Sequence, residues 1–216
     1  MEPRQRLQQE RSDLKTRRRA AIIEAAKIAF LNKGFEQATM QDIADEAILG
    51  VATIFRYFPR KEQLIVAVAS DIVQSEVLVF SDIIRGEGTC YDKLGRLFDT
   101  LVFFQQPESQ RSSKLIEAFE CYVAMSKSPL EDIEMYHSNY QQIITLCSEL
   151  AELGKKDGSV RNDANVVETI NTMINVFGNF SKKTAMLHGI EAFQTQVDES
   201  EQFHILKTIF LDHLKP

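Results

Sequence analysis

Tryptophan is absent from this chain of 216 residues, and glycine and proline are scarce, at 9 and 5 residues. Glycine and proline together usually make up about 12% of a chain, roughly twice the share found here. Few turn formers mean few turns and long elements, which points to helices. Only three cysteines occur, Cys90, Cys121 and Cys147, in three separate segments. An odd number without a CxxC pair argues against a disulfide framework or a zinc ribbon. Cys121, among apolar neighbours, reads as a core residue. No run of 18 apolar residues occurs, so no membrane-spanning helix is expected. Residues 1–6 lack an apolar stretch, so no secretory signal is expected and the expected compartment is the cytoplasm.

What is present is ordinary globular material, 44% hydrophobic and 26% charged. A chain of this size can bury roughly 70% of its unfolded surface, so neither metal nor disulfide is needed to hold it. Charge is unevenly placed. Residues 1–61 carry twelve Lys/Arg against eight Asp/Glu, net +4, and residues 62–216 carry thirteen against twenty-three, net −10. A basic head on an acidic body suggests a polyanion at one end.

Residues 1–15 mix Gln, Arg and Glu with little apolar content and read as a flexible basic arm, disordered or a fraying helix. From Thr16, the residues Ile22, Ala26, Ala29 and Phe30 form one helical stripe, with Gly34 as its stop. Thr39 to Asp42 reads as a capping-box start of a short second helix that buries Ile43, Ala44 and Ala47. A third helix runs over 51–57, with Ile54 and Phe58 facing inward and Pro59 ending it. Longer helices are expected over 62–84, 91–105, 109–127, 130–155, 163–188 and 200–214. The expected fold is all-α with about nine helices: a three-helix helix-turn-helix domain over 16–61, then a larger helical body over 62–216. Gly86-Glu87-Gly88 has no preceding strand and reads as a loop rather than a phosphate cradle.

The short third helix presents Val51, Ala52 and Arg56 away from Ile54 and Phe58. Small side chains let a helix sink into the major groove, and an arginine reaches a guanine edge or a phosphate. Thr53, Tyr57, Arg60 and Lys61 offer hydroxyls and charges at backbone distance, which set register rather than sequence choice. A plain helical hairpin with a polar face has the same outline.

The segments Thr39-Met40-Gln41-Asp42-Ile43-Ala44-Asp45-Glu46-Ala47 and Thr53-Ile54-Phe55-Arg56-Tyr57-Phe58-Pro59-Arg60-Lys61-Glu62-Gln63-Leu64 resemble the tetracycline-repressor family of bacterial regulators. Ala25-Ala26, Ala29-Phe30 and Gly34-Phe35 match that family's first helix, so the resemblance covers about residues 17–65. It implies a homodimeric regulator, usually a repressor, that leaves a pseudo-palindromic double-stranded DNA operator when a small-molecule effector binds. It also implies phosphate bonds from Thr39, Thr53, Tyr57 and Lys61, with Val51, Ala52 and Arg56 nearest the bases and Arg60 a charge near the DNA. Four positions depart from the pattern. Ile48 stands at the turn glycine, Gly50 at the serine before helix three, Phe55 at a tyrosine, and Arg60 where serine or asparagine caps helix four.

Further expectations concern the body. Phe103, Phe104, Phe119, Tyr122, Met125, Tyr136 and Tyr140 cluster in its middle helices, and with Phe177 they are candidates to line an effector cavity of the kind the resemblance implies. Ile170, Ile174, Phe177 and Ser181 form one stripe, and Phe203, Leu206, Phe210 and Leu214 another. Each stripe fits either the chain's own core or, as the resemblance implies, a four-helix dimer interface. Two ExxH pairs, Glu134/His137 and Glu201/His204, leave open a di-iron enzyme, and a helical interaction protein without DNA binding is a third reading. No catalytic residue, metal ligand or cofactor is assigned, and no membrane partner is expected.

Overall fold

The computed structural model describes residues 3–103, 107–163, 165–187, 190–191 and 198–216. Among them are nine helices and no strand, as the scarcity of turn formers implies: α1 (Pro3–Gln37), α2 (Met40–Glu46), α3 (Val51–Tyr57), α4 (Lys61–Arg85), α5 (Cys90–Phe103), α6 (Pro107–Met125), α7 (Ile133–Asp157), α8 (Val166–Leu187) and α9 (Glu199–Leu214). The chain divides into two compact units, one of Met1–Asp71 with Ala118–Tyr136, the other of Ile72–Glu117 with His137–Pro216. The first unit therefore takes the start of α4 and the segment from late α6 to early α7, which a boundary at residue 61 leaves out.

In the first unit, Ile22, Ala26, Ala29 and Phe30 of α1 are buried together with Ile43 and Ala44 of α2 and Ile54 and Phe58 around α3. The helical run of α1 breaks at Gly34, whose φ of 74° and ψ of 166° are open only to glycine. The break folds Phe35 back so that its ring meets Phe30 edge-on at 5.0 Å. The arm expected to be flexible is helical from Pro3 onward, and residues 5–18 are exposed throughout.

The second unit is held by Phe98 of α5, Phe177 and Phe180 of α8, and Phe203 and Phe210 of α9, with ring centroids from 4.9 to 6.4 Å apart. Asp157 and Ser159, at the end of α7, accept the Cys90 and Tyr91 amides at the start of α5. These are two of the donors a helix start leaves unpaired. Where these segments cross, Gly154 leaves no room for a side chain. An added Cβ would sit 2.4 Å from Val160 Cγ2 and 2.8 Å from Cys90 Sγ. Gly154→Ala is therefore expected to destabilise the protein by about 1–2 kcal/mol. Overpacking of about 1–3 kcal/mol or more outweighs the roughly 1 kcal/mol gained in helix propensity. Urea unfolding measures this.

Burial separates the cysteines. Cys90 and Cys147 are buried, and burial pushes each thiol up to about 12. Cys121, read from its neighbours as core, is exposed instead: it lies on the outer side of α6, where the helical period turns it away from the buried Phe119. By length and composition α4 could cross a bilayer. Its continuous run Leu64, Ile65, Val66, Ala67, Val68 and Ala69 is buried in the fold, as expected of a core helix that is apolar all round.

Candidate nucleic-acid interface

The geometry of the head follows from its caps. Thr39 begins α2 with a reciprocal pair of bonds: its Oγ1 accepts the Asp42 amide at 3.1 Å, and Asp42 Oδ2 accepts the Thr39 amide at 3.0 Å. Lys33 Nζ donates to Asp42 Oδ1 at 2.8 Å. The Lys33 ammonium, the Thr39 amide and the Thr39 hydroxyl, each bonded to it, hold the Asp42 carboxyl down at about 2.

The turn between α2 and α3 has its left-handed residue at Ile48, where the resemblance leads one to expect glycine. Ala47 is the right-handed C-cap of α2, and Ile48 follows at φ 54°, 91% exposed. The substitution thus neither lengthens α2 nor changes the handedness of the turn; the backbone takes on the strain. A left-handed L-residue costs about 1–2 kcal/mol, and a β-branched one is an outlier there. Glycine gives back roughly 0.5–1 kcal/mol through its freer unfolded state. Ile48→Gly should therefore stabilise the head by about 0.5–1 kcal/mol, since almost no side-chain burial is lost. A chemical denaturation midpoint that falls or stays put would contradict this reading of the turn.

Gly50 caps α3 without a side-chain bond. Ile54 is fully buried and Phe58 nearly so, which pins one face of α3. The opposite face is open: Ala52, Phe55 and Arg56 are exposed, and Val51, Thr53 and Tyr57 are half-buried. The Arg56 guanidinium lies 5.7 Å from the Tyr57 ring centroid. Sequence reasoning noted only the hydroxyl that Phe55 lacks. The structure makes this ring, 47% exposed, the largest apolar group on the open face.

Two expected DNA groups are occupied within the head. Lys61 Nζ donates to the Glu36 and Ala38 carbonyls at 2.8 and 3.0 Å, tying the start of α4 to the end of α1. One N–H of its three remains. Arg60 forms an ion pair with Glu131, and its amide donates to Gln63 Oε1 at 3.3 Å. Gln63 thus does the capping that serine or asparagine at position 60 would do. A group missed in the sequence is Arg19 of α1, whose guanidinium sits 5.0 Å over the Phe58 ring.

The other candidates do not gather into one place. Phe119 packs on Tyr136 at 4.7 Å and Tyr122 on Phe35 at 5.9 Å, all in the first unit, where Met125 is 85% exposed. In the second unit Tyr140 donates its hydroxyl to Asn175 Oδ1 at 3.0 Å, and Phe177 is buried against Phe98. Phe104 and the Phe103 side chain lie outside the described residues. The stripe of Ile170, Ile174, Phe177 and Ser181 is buried within the chain's own core, with Ser181 Oγ donating to the Leu101 carbonyl at 2.8 Å. Phe203 and Leu214 are buried and Leu206 and Phe210 pack on the same core. Six of these eight residues are buried within the single chain, while Leu206 and Phe210 stay partly exposed. Glu134 falls in the first unit, and His137, Glu201 and His204 fall in the second. His137, His204 and both glutamates are exposed. Among the described residues, no three potential ligands converge on a metal position.

A short helix with one buried and one open face, following a helix capped by a reciprocal box, has the layout of a helix-turn-helix. Residues 22–68 match the profile of the bacterial regulatory proteins of the tetR family. The repressor KstR2 of Mycolicibacterium smegmatis is 24% identical over 149 residues, 69% of this chain and 70% of that one. The fold extends beyond the head. FadR of Bacillus subtilis, solved in complex with stearoyl-CoA, superposes with a TM-score of 0.68 at 14% identity, covering 90% of this chain and 98% of FadR. A TetR-family regulator from Agrobacterium tumefaciens gives 0.70 at 12% identity, with 94% and 100% covered. Over its head, residues 22–68, the chain is therefore similar to the tetR family of bacterial regulatory proteins, and the folds of the solved regulators cover the rest.

Proposed function

We propose that the protein is a cytoplasmic, homodimeric repressor that holds a pseudo-palindromic operator and is released from it by a small molecule. The observation that carries this reading is the open face of α3, where Ala52, Phe55 and Arg56 are exposed opposite a buried Ile54. Val51, Ala52 and Arg56 read bases, Phe55 adds an apolar contact for a thymine methyl or a sugar, and Thr39, Thr53 and Tyr57 bond phosphates. Lys61 brings at most one N–H to a phosphate while it holds α1 and α4 together, and Arg60 reaches DNA only by giving up Glu131. Selection of binding sites from random duplex DNA tests the reading. Enrichment of two-fold sites with half-sites about 34–36 Å apart or a multiple of that is expected. A pool with no enriched sequence would overturn it.

The dimer falls to what the fold leaves uncovered. On α9, Ile205 and Ile209 are 46% and 56% exposed, and on α8 Val176 is 45% exposed. Ile205, Thr208, Ile209 and Asp212 fall at i, i+3, i+4 and i+7, one outward face that suits a partner helix. The effector belongs in the helical body, and a lipophilic one fits the aromatic content there. That FadR is solved with stearoyl-CoA supports this class. An effector releases DNA only through a difference in affinity between two head positions. The single helix α4, from Lys61 to Arg85, carries such a difference.

A further inference from the structure

The first eighteen residues add a second basic surface to the head, apart from α3. Placed around α1 at 100° per residue, Arg11, Lys15 and Arg18 fall at i, i+4 and i+7 and share one face, with position 4 on the same line. The acidic residues are on another face. Glu10 pairs there with Arg6 at 3.2 Å, and Asp13 accepts from Gln9 at 3.0 Å. Arg11, Lys15 and Arg18 are exposed and have no acidic partner among the described residues. One turn further on, their face becomes the face that buries Ile22, Ala26 and Ala29 against the head. So the side of α1 that looks at the other head helices continues beyond them as a row of cations. The row leaves the head beside Arg19, which lies over Phe58 at the end of α3. The segment from Arg11 to Arg18 spans about 10 Å at 1.5 Å per residue. One DNA strand carries a phosphate about every 3.4 Å of axis, so three cations face about three phosphates.

Resting on the DNA-binding reading above, we propose that the arm of α1 lies along the phosphate backbone beside the sequence read by α3, with Arg11, Lys15 and Arg18 as its contacts. Leu7 and Leu14, 52% and 65% exposed, are only two apolar positions seven apart. A coiled coil with a second copy needs at least three or four such heptads. A duplex suits a row of unpaired cations at this spacing better than an apolar partner does. The contact carries no sequence information; it adds affinity and salt dependence to every site the head occupies.

The test compares the intact chain with Arg11→Gln/Lys15→Gln/Arg18→Gln and with Arg6→Gln/Arg17→Gln, on the selected operator and on a scrambled duplex, as salt is raised. Glutamine keeps the helix propensity, and circular dichroism checks that the arm stays helical. Each phosphate lost lowers the slope of log K against log salt by about 0.9. The triple variant should therefore lose about 5 from that slope for the dimer on its operator, about 2–3 from each protomer, and its affinity should fall roughly 1,000-fold less than the intact chain's between 50 and 200 mM salt. The preference for operator over scrambled DNA should be unchanged. Trimming the duplex to the two half-sites should reproduce the loss in the intact chain and add little in the variant. An unchanged slope in the triple variant, or an equal loss in the Arg6/Arg17 variant, overturns the proposal. So does a triple variant whose altered property is self-association or retention on anionic phosphatidylserine vesicles while its salt slope stays put. If the intact chain enriches no sequence and binds neither duplex, the DNA-binding reading fails instead.

Discussion

Phe177→Ala is expected to lower the stability of the second unit by about 3–5 kcal/mol, the usual cost of removing a buried phenylalanine. Its ring is fully buried and stacks on Phe98 at 4.9 Å, with Phe203 at 5.4 Å and Phe210 at 6.4 Å around it. Denaturant unfolding should show a lower midpoint with a similar slope. Whatever stays folded should sediment as the parent does, because the deleted ring faces the interior. Ile205→Glu with Ile209→Glu should do the reverse. Both side chains are about half exposed, so stability of the single chain should change little while self-association is lost. If Phe177→Ala gives a stable monomer, or the isoleucine pair unfolds the chain, core and interface have been assigned to the wrong faces.

That contrast marks a limit of periodicity. The stripe Ile170, Ile174, Phe177, Ser181 recurs at helical spacing, and spacing locates an apolar face without naming what covers it. A core and a dimer interface have the same pattern. Only the position of α5, which brings Phe98 and the Leu101 carbonyl to that face, decides between them. The head was more legible because its signals are local. The Thr39–Asp42 box, the Gly34 break and the inward Ile54 and Phe58 depend on residues a few positions apart. The partners of Lys61 and Arg60 within the protein were not legible in the sequence for a long-range reason. Their partners, the Glu36 and Ala38 carbonyls and Glu131, are 23 to 71 residues away in the chain. The Ile48 turn shows the converse. Local propensity argues against a left-handed isoleucine, and the packing of α2 and α3 on either side imposes it.

Arg56→Ala should weaken the selected operator by about 1–3 kcal/mol for each half-site, roughly 5–150-fold apiece, and relax sequence preference at one base pair of each half-site. The argument begins with what holds the side chain. Arg56 is exposed on the open face of α3, has no acidic partner among the described residues, and lies against the Tyr57 ring. A guanidinium resting on an aromatic face keeps its fork of donors while losing little freedom on binding. Its neighbours toward the helix start are Ala52 and Val51, small enough for that end to enter the groove deeply. A bidentate arginine there reads guanine O6 and N7. Tyr57→Phe provides the comparison. It deletes one hydroxyl at backbone distance, so it should weaken operator and scrambled duplex alike and leave the preference at every position intact. Repeating the site selection with each variant separates the roles. If Arg56→Ala weakens both duplexes equally and its selected sequence matches the parent's, Arg56 is a phosphate contact. Base readout then falls to Val51, Ala52 and the exposed ring of Phe55.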